Sequence, residues 1–189
     1  MSDTFDPLGV ALMVTAVLDR LGVAWTVGGS LASSVAGEPR STIDVDIVAA
    51  LKPGHVPALV HALEPEFYLN PAALNRAVTD RRSANLIHYG SQVKIDLFVV
   101  GGTPVDALQL SRRRAVDLGG RRLYVHPPED ILLQKLRWYR QGGEVSDRQW
   151  RDVVGIVRVQ GPRLDRAYLE EQATTLGVRD LLERALPPT

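Results

Sequence analysis

Two aspartates separated by one residue lie in an apolar run of the chain, and a third lies in a similar run farther along. Asp44 and Asp46 fall within residues 43–48, and Asp96 falls within residues 93–98. Alternate side chains of a β-strand share a face, so Asp44 and Asp46 are expected to project together. Two carboxylates at that range repel each other unless a cation lies between them. The pair therefore predicts a divalent-metal site.

The run around the third aspartate extends this prediction. Its apolar side chains form one face of a strand, whereas Asp96 points the other way together with Lys94. If the two strands are neighbours, Asp96 meets Asp44 and Asp46. Three carboxylates suit Mg²⁺ or Mn²⁺, and a two-metal site about 3.5–4 Å across clamps the attacking and leaving oxygens of a phosphate. We therefore expect phosphoryl or nucleotidyl transfer.

A simpler interpretation is that Asp44 and Asp46 only form the solvent face of an edge strand. Aspartate is a poor strand former, yet it occurs three times within otherwise apolar strand runs. This repetition favours a metal site over a solvated strand.

A glycine turn precedes the first aspartate strand. Gly28-Gly29-Ser30 follows a β-rich run at residues 23–27 and precedes a predicted helix that opens at residues 31–35. Glycines let the backbone approach a ligand, and free N–H groups at a helix N-terminus bind anions. Ser30 adds a hydroxyl. The alternative is an ordinary turn or helix cap, but the position beside the aspartate strand favours phosphate binding.

A lysine occupies an apolar helix face in the second half of the chain. The helix predicted from Pro128 places Lys135 between Ile131 and Tyr139, because each residue rotates the helix by about 100°. Either the side chain extends to solvent along its apolar stem, or its ammonium enters a cleft and holds a triphosphate.

Two aspartates on the following helix have structural alternatives. Ser146-Asp147-Arg148-Gln149 has the form of a capping box, so Asp147 is expected to complement the helix N-terminus. Asp152 is interpreted either as a functional group or as a partly buried partner of Lys135 or Arg151.

Composition limits the classes of protein and partner. Twenty-two basic and twenty-two acidic residues cancel, which excludes an overall positive field of the kind that drives non-specific nucleic-acid binding. The densest local charge is Arg112, Arg113 and Arg114 with Arg121 and Arg122. This cluster is interpreted as solvated surface or as a binding patch for acceptor RNA.

The absence of cysteine excludes disulfides and thiolate zinc sites and fits a reducing compartment, so a cytoplasmic location is expected. The apolar stretch at residues 8–18 is too short for a membrane span and lacks a basic flank, so no membrane association is expected. The four histidines lack metal-ligand spacing and are interpreted as surface residues.

The predicted elements give an α+β chain, with a mixed β-sheet flanked by helices and a C-terminal helical part. We expect a core domain at residues 1–126 and a helical region packed on it at residues 127–189. Predicted strands are 23–27, 43–51, 84–88, 92–100 and 122–125, with a hairpin turn at Gly90-Ser91; predicted helices are 8–21, 56–63, 129–141, 147–160, 168–176 and 181–186, with irregular chain after residue 63.

These motifs resemble a known superfamily over roughly residues 8–160. Gly28-Gly29-Ser30, followed by Arg40-x-Thr42-x-Asp44-x-Asp46 and later by Asp96, resembles the signature of the polymerase-β-like nucleotidyltransferases. Lys135 within Leu-Leu-Gln-Lys-Leu, followed by Asp152, resembles the AbiEii-type branch, which includes toxin nucleotidyltransferases.

The resemblance implies a nucleotidyltransferase-like fold and a set of roles. Asp44 and Asp46 would bind the metal, and Asp96 would be the third carboxylate that activates an acceptor hydroxyl. The residues implied to bind the nucleotide or support its site are Gly28, Gly29, Ser30, Arg40, Thr42, Lys135 and Asp152.

The implied reaction transfers NMP from an NTP to an acceptor and releases pyrophosphate, with Mg²⁺ or Mn²⁺ as cofactor. The leading expectation is an RNA or protein acceptor, with the chain acting as a toxin alongside an antitoxin protein. An aminoglycoside-like small-molecule acceptor is the first alternative, which an acidic acceptor cleft would favour. A catalytically silent nucleotide-binding module is the second, but the presence of all three carboxylates disfavours it.

Overall fold

The computed structural model describes residues 7–28, 44–101, 104–117, 120 and 122–186. Gly29, Ser30, Arg40, Thr42 and the helix predicted to open at residue 31 lie outside the described residues. The helices are α1 (Pro7–Arg20), α2 (Val56–Leu63), α3 (Pro71–Asp80), α4 (Pro104–Ser111), α5 (Pro128–Gln141), α6 (Asp147–Gln160), α7 (Arg166–Thr175) and α8 (Arg179–Ala185). The strands are β1 (Trp25–Val27), β2 (Asp44–Ala49), β3 (Phe67–Leu69), β4 (Ser83–His88), β5 (Lys94–Val99), β6 (Arg114–Asp117) and β7 (Arg122–Val125).

All the described strands belong to one mixed sheet with the order β3-β4-β5-β2-β1-β7-β6. β2 pairs in parallel with β5, and β1 pairs in parallel with β7, whereas the other neighbours are antiparallel. The predicted mixed sheet with flanking helices is therefore confirmed. The order also brings β2 and β5 together although other elements separate them in sequence.

The two faces of the central strands differ in polarity. Val45, Ile47, Ile95 and Leu97 are fully buried on one face, while α1 contacts β2 and α3 contacts β4. The intervening positions of β2 and β5 include the aspartates and remain partly or fully accessible at their N-terminal halves. The alternation expected from sequence is thus present, and it leaves the carboxylates on the less covered face.

A glycine ends α1 and directs the chain into β1. Gly22 has φ +65°, a conformation that suits glycine at a helix C-terminus. Its N–H donates to the carbonyl of Asp19 at 3.0 Å. The indole N–H of Trp25 then donates to the Asp19 carboxylate at 2.7 Å, which fixes the start of β1.

The predicted β4–β5 hairpin is confirmed, and a buried histidine stabilises its turn. His88 is 1% exposed, and its Nδ1 accepts the Ser91 backbone N–H at 3.1 Å. Ser91 Oγ lies 2.9 Å from the same nitrogen. The expectation that His88 lies at the surface is wrong, because its ring packs against Phe67 with centroids 5.2 Å apart. His126, which is 3% exposed, is buried as well.

The irregular chain expected after residue 63 is also wrong, because it contains β3 and α3. Asn70 caps α3 by accepting the Ala73 N–H at 3.0 Å, and Pro71 occupies the first helical turn. A proline at that position favours a helix start. The prolines that suggested loop therefore mark the beginning of a helix here.

Backbone contacts divide the chain into two units, with the boundary in the described chain between Val125 and His126. The second unit consists of α5 to α8 around its own apolar core, and all four helices begin within two residues of their predicted starts. Among the described residues, no helix is long and apolar enough to cross a membrane. The core residues include Leu132, Leu136, Val153, Ile156, Leu169 and Leu181.

Candidate active site

The three aspartates converge because β2 and β5 are parallel neighbours in a defined register. Asp46 pairs with Asp96 across the ladder, and Asp44 pairs with Lys94. Neighbouring strands lie about 4.8 Å apart, and alternate residues of a strand lie about 6.6 Å apart. These four residues therefore form a compact patch on one face of the sheet, which we call the carboxylate patch.

Solvent access differs across the carboxylate patch. Asp44 is exposed at the start of β2, Asp46 is half-buried, and the Asp96 side chain is 18% exposed. The residues between them point into the core. The patch thus sits where the sheet passes from its buried interior to solvent, which allows a ligand to reach carboxylates on a rigid support.

Lys94 supplies a positive charge within the carboxylate patch. Its Nζ donates to Asp96 Oδ2 at 2.8 Å, and its side chain is 38% exposed. The hydrogen bond to Asp96 raises the pKa of Lys94, burial partly opposes this shift, and the charges of Asp96, Asp44 and Asp46 add to it. Asp96 is therefore the direct partner of the ammonium, and the charges of Asp44 and Asp46 further favour its protonated form. The sequence placed Lys94 and Asp96 on the same face of a strand, but their ion pair was not predicted.

The donor chemistry of the patch suits a hard divalent cation, since three carboxylates on adjacent strands are oxygen ligands. Among the described residues, however, no group of three or more acidic, cysteine or histidine side chains is arranged to enclose a metal. Asp96 instead directs Oδ2 to the Lys94 ammonium. The backbone register fits a metal site, and a change of side-chain conformation would be needed to complete it.

Gly28, the first residue of the predicted glycine turn, lies beside the carboxylate patch. The Gly28 N–H donates to the Asp46 carbonyl at 2.9 Å, which continues the antiparallel pairing of β1 with β2. This bond uses the Gly28 N–H, so that group is not a phosphate donor in this conformation.

Lys135 and Asp152 form a largely buried ion pair within the second unit. Lys135 Nζ lies 2.8 Å from Asp152 Oδ2, and the two side chains are 5% and 14% exposed. Extension of Lys135 to solvent is therefore wrong, and its partnership with Asp152 is confirmed. At the start of α6, Ser146 caps the helix by accepting the Gln149 N–H at 3.4 Å, and Asp147 lies exposed in the first turn, as expected of a residue that complements the helix dipole.

The arginine cluster is partly engaged in packing. Arg113 Nη1 donates to the Leu110 carbonyl at 3.1 Å, and its guanidinium lies 4.8 Å from the centroid of the Tyr124 ring. Arg114 and Arg122 are exposed, while Arg121 lies outside the described residues. Arg113 thus has a structural role.

Comparison with known proteins identifies the fold. No protein-family model and no curated protein sequence matches the chain. A solved structure of an antigenic nucleotidyltransferase-like protein from Paracoccidioides brasiliensis is similar, with TM-score 0.60, 19% identity, and coverage of 97% of this chain and 92% of that chain.

Two antibiotic-modifying proteins have similar structures. The lincosamide antibiotic adenylyltransferase LnuA, solved with lincomycin bound, gives TM-score 0.53, 13% identity, and coverage of 79% of this chain and 95% of that chain. ANT(2″)-Ia in complex with adenylyl-2″-tobramycin gives TM-score 0.57, 11% identity, and coverage of 90% of this chain and 96% of that chain. The predicted nucleotidyltransferase-like fold is confirmed, while the resemblance to the AbiEii-type branch stays a prediction.

Proposed function

We propose that the chain is a metal-dependent nucleotidyltransferase that moves NMP from an NTP to an acceptor hydroxyl. The observation that carries this proposal is the in-register pairing of Asp46 with Asp96, with Asp44 on the same face, in a chain with a nucleotidyltransferase fold. Three carboxylates close together repel one another, and Lys94 supplies a single opposing charge, so a divalent cation would stabilise the arrangement.

In this proposal Asp44 and Asp46 hold Mg²⁺ or Mn²⁺, with Asp96 as third ligand. The bound ion would neutralise triphosphate charge and lower the pKa of the acceptor hydroxyl. Asp96 accepts the proton of that hydroxyl. The acceptor oxygen forms a bond to the α-phosphorus, the bond from that phosphorus to the α,β-bridging oxygen breaks, and pyrophosphate leaves with the electron pair.

The nucleotide-binding roles rest on the sequence motifs. Gly29 and Ser30 are proposed to contact the phosphates, with Arg40 and Thr42 supporting the site. For Lys135 and Asp152, the buried 2.8 Å pair supports a structural role better than a nucleotide-binding role, because the Lys135 ammonium already has a charged partner.

Two acceptor classes are proposed. RNA or protein is the first, with the toxin role, an antitoxin partner and a cytoplasmic location as its associated predictions. A small hydroxylated molecule is the second, and it is supported by the likeness to two antibiotic-modifying proteins over nearly their whole length. The packing role of Arg113 weakens the case for an RNA-binding arginine cluster.

Transfer of label from α-labelled NTPs tests the proposal. Each NTP is supplied with Mg²⁺ or Mn²⁺ and with RNA, protein or a panel of hydroxylated small molecules. We expect wild type to label one acceptor class and Asp44→Asn/Asp46→Asn to label none. Asp80→Asn, at an exposed position at the end of α3, is the matched control and keeps activity. Equal transfer by the double variant, or NTP binding without transfer to any acceptor, would contradict the proposal.

A further inference from the structure

Lys94 occupies the fourth corner of the carboxylate patch. On β5 it pairs with Asp44 of β2, one step along the ladder from the Asp46–Asp96 pair. Its ammonium is bonded to Asp96 and lies within electrostatic range of Asp44 and Asp46. A cation therefore already neutralises part of the charge that the three carboxylates create.

The pairing has a consequence for Asp96. Asp96 Oδ2 accepts a 2.8 Å hydrogen bond from the ammonium, so a divalent cation that approaches this oxygen meets a positive charge within hydrogen-bonding distance. The described acidic side chains do not enclose a metal site, although the backbones of Asp46 and Asp96 are in register. The ammonium and a divalent cation therefore compete for Asp96 Oδ2.

The residue type favours such an exchange. Only three of the 22 basic residues are lysines, and one of them lies at this position. A lysine ammonium is a compact charge on a flexible stem, whereas arginine forms a planar, bidentate pair with a carboxylate that is geometrically more demanding. The Lys94 side chain is also 38% exposed, so it has room to swing away.

We infer that Lys94 is an internal counter-ion that competes with the divalent cation for Asp96 and sets the affinity of the carboxylate patch for metal. The inference rests on the proposed function and adds a positioning residue to it. Lys94 holds Asp96 in a paired, inactive conformation when the patch carries no ion. Binding of the ion displaces the ammonium, which then becomes available to the negative charge of the arriving triphosphate.

Binding of Mn²⁺ alone, measured by calorimetry without nucleotide, tests the inference. Lys94→Gln removes a positive charge a few ångströms from the ion, so Mn²⁺ should bind on the order of tenfold more tightly. Lys94→Arg keeps the charge and pairs with a carboxylate through a planar, bidentate fork, so Mn²⁺ is expected to bind no more tightly than to wild type. Lys52→Gln, at an exposed lysine outside the patch, is the matched control. Equal or weaker Mn²⁺ binding by Lys94→Gln overturns the inference.

A double-mutant cycle with Asp96→Asn separates competition at Asp96 from a general charge effect. In the Asp96→Asn background, Lys94→Gln should increase the Mn²⁺ affinity by less than half as much as in wild type, on a logarithmic scale. A gain of unchanged size would show that Lys94 does not act through Asp96. Thermal melts without metal establish that each variant is folded.

A second readout uses the small number of lysines. Selective ¹³Cε-lysine labelling gives three signals, which Lys52→Gln and Lys94→Gln assign. Addition of Mg²⁺ should shift the Lys94 signal and leave the Lys52 signal in place, whereas an unmoved Lys94 signal at saturating Mg²⁺ contradicts displacement.

The outcomes distinguish this inference from the proposed function. A metal affinity that depends on Lys94, without nucleotide transfer, would support the counter-ion role and reject the proposed enzyme activity. Nucleotide transfer that depends on Asp44 and Asp46, with a metal affinity that is independent of Lys94, would support the enzyme activity and reject the counter-ion role. The absence of metal binding in both wild type and Lys94→Gln would reject both.

Discussion

The buried pair of Lys135 and Asp152 provides a test that decides between a structural and a nucleotide-binding role. Its atoms lie 2.8 Å apart, and the side chains are 5% and 14% exposed. Asp152→Asn keeps the shape of the side chain and removes its charge. The perturbation therefore leaves the Lys135 ammonium buried between α5 and α6 without an anionic partner.

The magnitude follows from the burial. Removing one partner of a buried ion pair costs about 3–5 kcal/mol, because the remaining charge has lost its compensation. For a chain of 189 residues, each kcal/mol corresponds to about 2–4 °C in Tm. Asp152→Asn is therefore expected to lower the Tm of the chain by about 6–20 °C. Lys135→Met/Asp152→Leu replaces both charges with apolar groups and should be near neutral or stabilising.

Thermal and urea unfolding, followed by circular dichroism and by tryptophan fluorescence, measure this effect. Trp150 packs against Tyr139 with ring centroids 5.2 Å apart, so fluorescence includes a signal from the helical unit. The folded double variant then allows a binding assay with NTP. A structural pair predicts NTP affinity within about twofold of wild type, whereas a triphosphate-binding Lys135 predicts a loss of at least about tenfold.

A loss below about 1 kcal/mol for Asp152→Asn would refute the reasoning, since that value is typical of an exposed ion pair. A double variant as unstable as the single variant would refute it in another way. It would show that the two charged side chains also form hydrogen bonds or ion pairs with other groups in the second unit.

Three further predictions concern the patch, a buried histidine and a helix end. Asp96→Asn should lower kcat about 10²–10⁴-fold with NTP binding retained, as measured by single-turnover transfer and equilibrium binding, because a general base is lost; Asp80→Asn is the control. Burial lowers the pKa of His126 to about 4, so its neutral form is favoured in the folded chain, and stability is full above the unfolded pKa near 6.5 and falls as pH decreases toward 4. That contribution amounts to about 3 kcal/mol. In His126→Phe, the free energy of urea unfolding should change less with pH between these values. A pH dependence equal to that of wild type would contradict the burial argument. Gly22→Ala should cost about 1 kcal/mol because Gly22 has φ +65°, while Gly54→Ala, at a position without that constraint, should cost less in the same unfolding assay.

The sequence predicted the strands whose burial alternates and the helices whose apolar faces repeat. β2 and β5 were recognised because aspartates interrupt apolar runs in phase with the pleat. β6 was missed because its exposed side chains lack alternation, and the Asn70 cap of α3 was hidden among prolines that suggested loop. Local patterns identify elements only where one face is buried.

The residues of the candidate site were predictable, whereas their contacts were predicted only for Lys135 and Asp152, as one of two alternatives. The residue types and the alternation of side chains along each strand singled out Asp44, Asp46 and Asp96. The register confirms that their strands are neighbours. The choice of Lys94 as the partner of Asp96 depends on side-chain conformation. The choice of Asp152 as the partner of Lys135 depends on how α5 packs on α6. Neither is specified by spacing along the chain.

The register that aligns Asp46 with Asp96 is fixed by the core beneath it. A slip of one residue in β5 would turn Ile95 and Leu97 outward and bury Asp96, which the hydrophobic effect opposes. The β4–β5 turn adds a second constraint, since His88 is buried and its Nδ1 accepts the Ser91 N–H at the point where the hairpin reverses. The position of Asp96 is therefore set from both neighbouring strands, and its side chain remains the adjustable part that Lys94 holds.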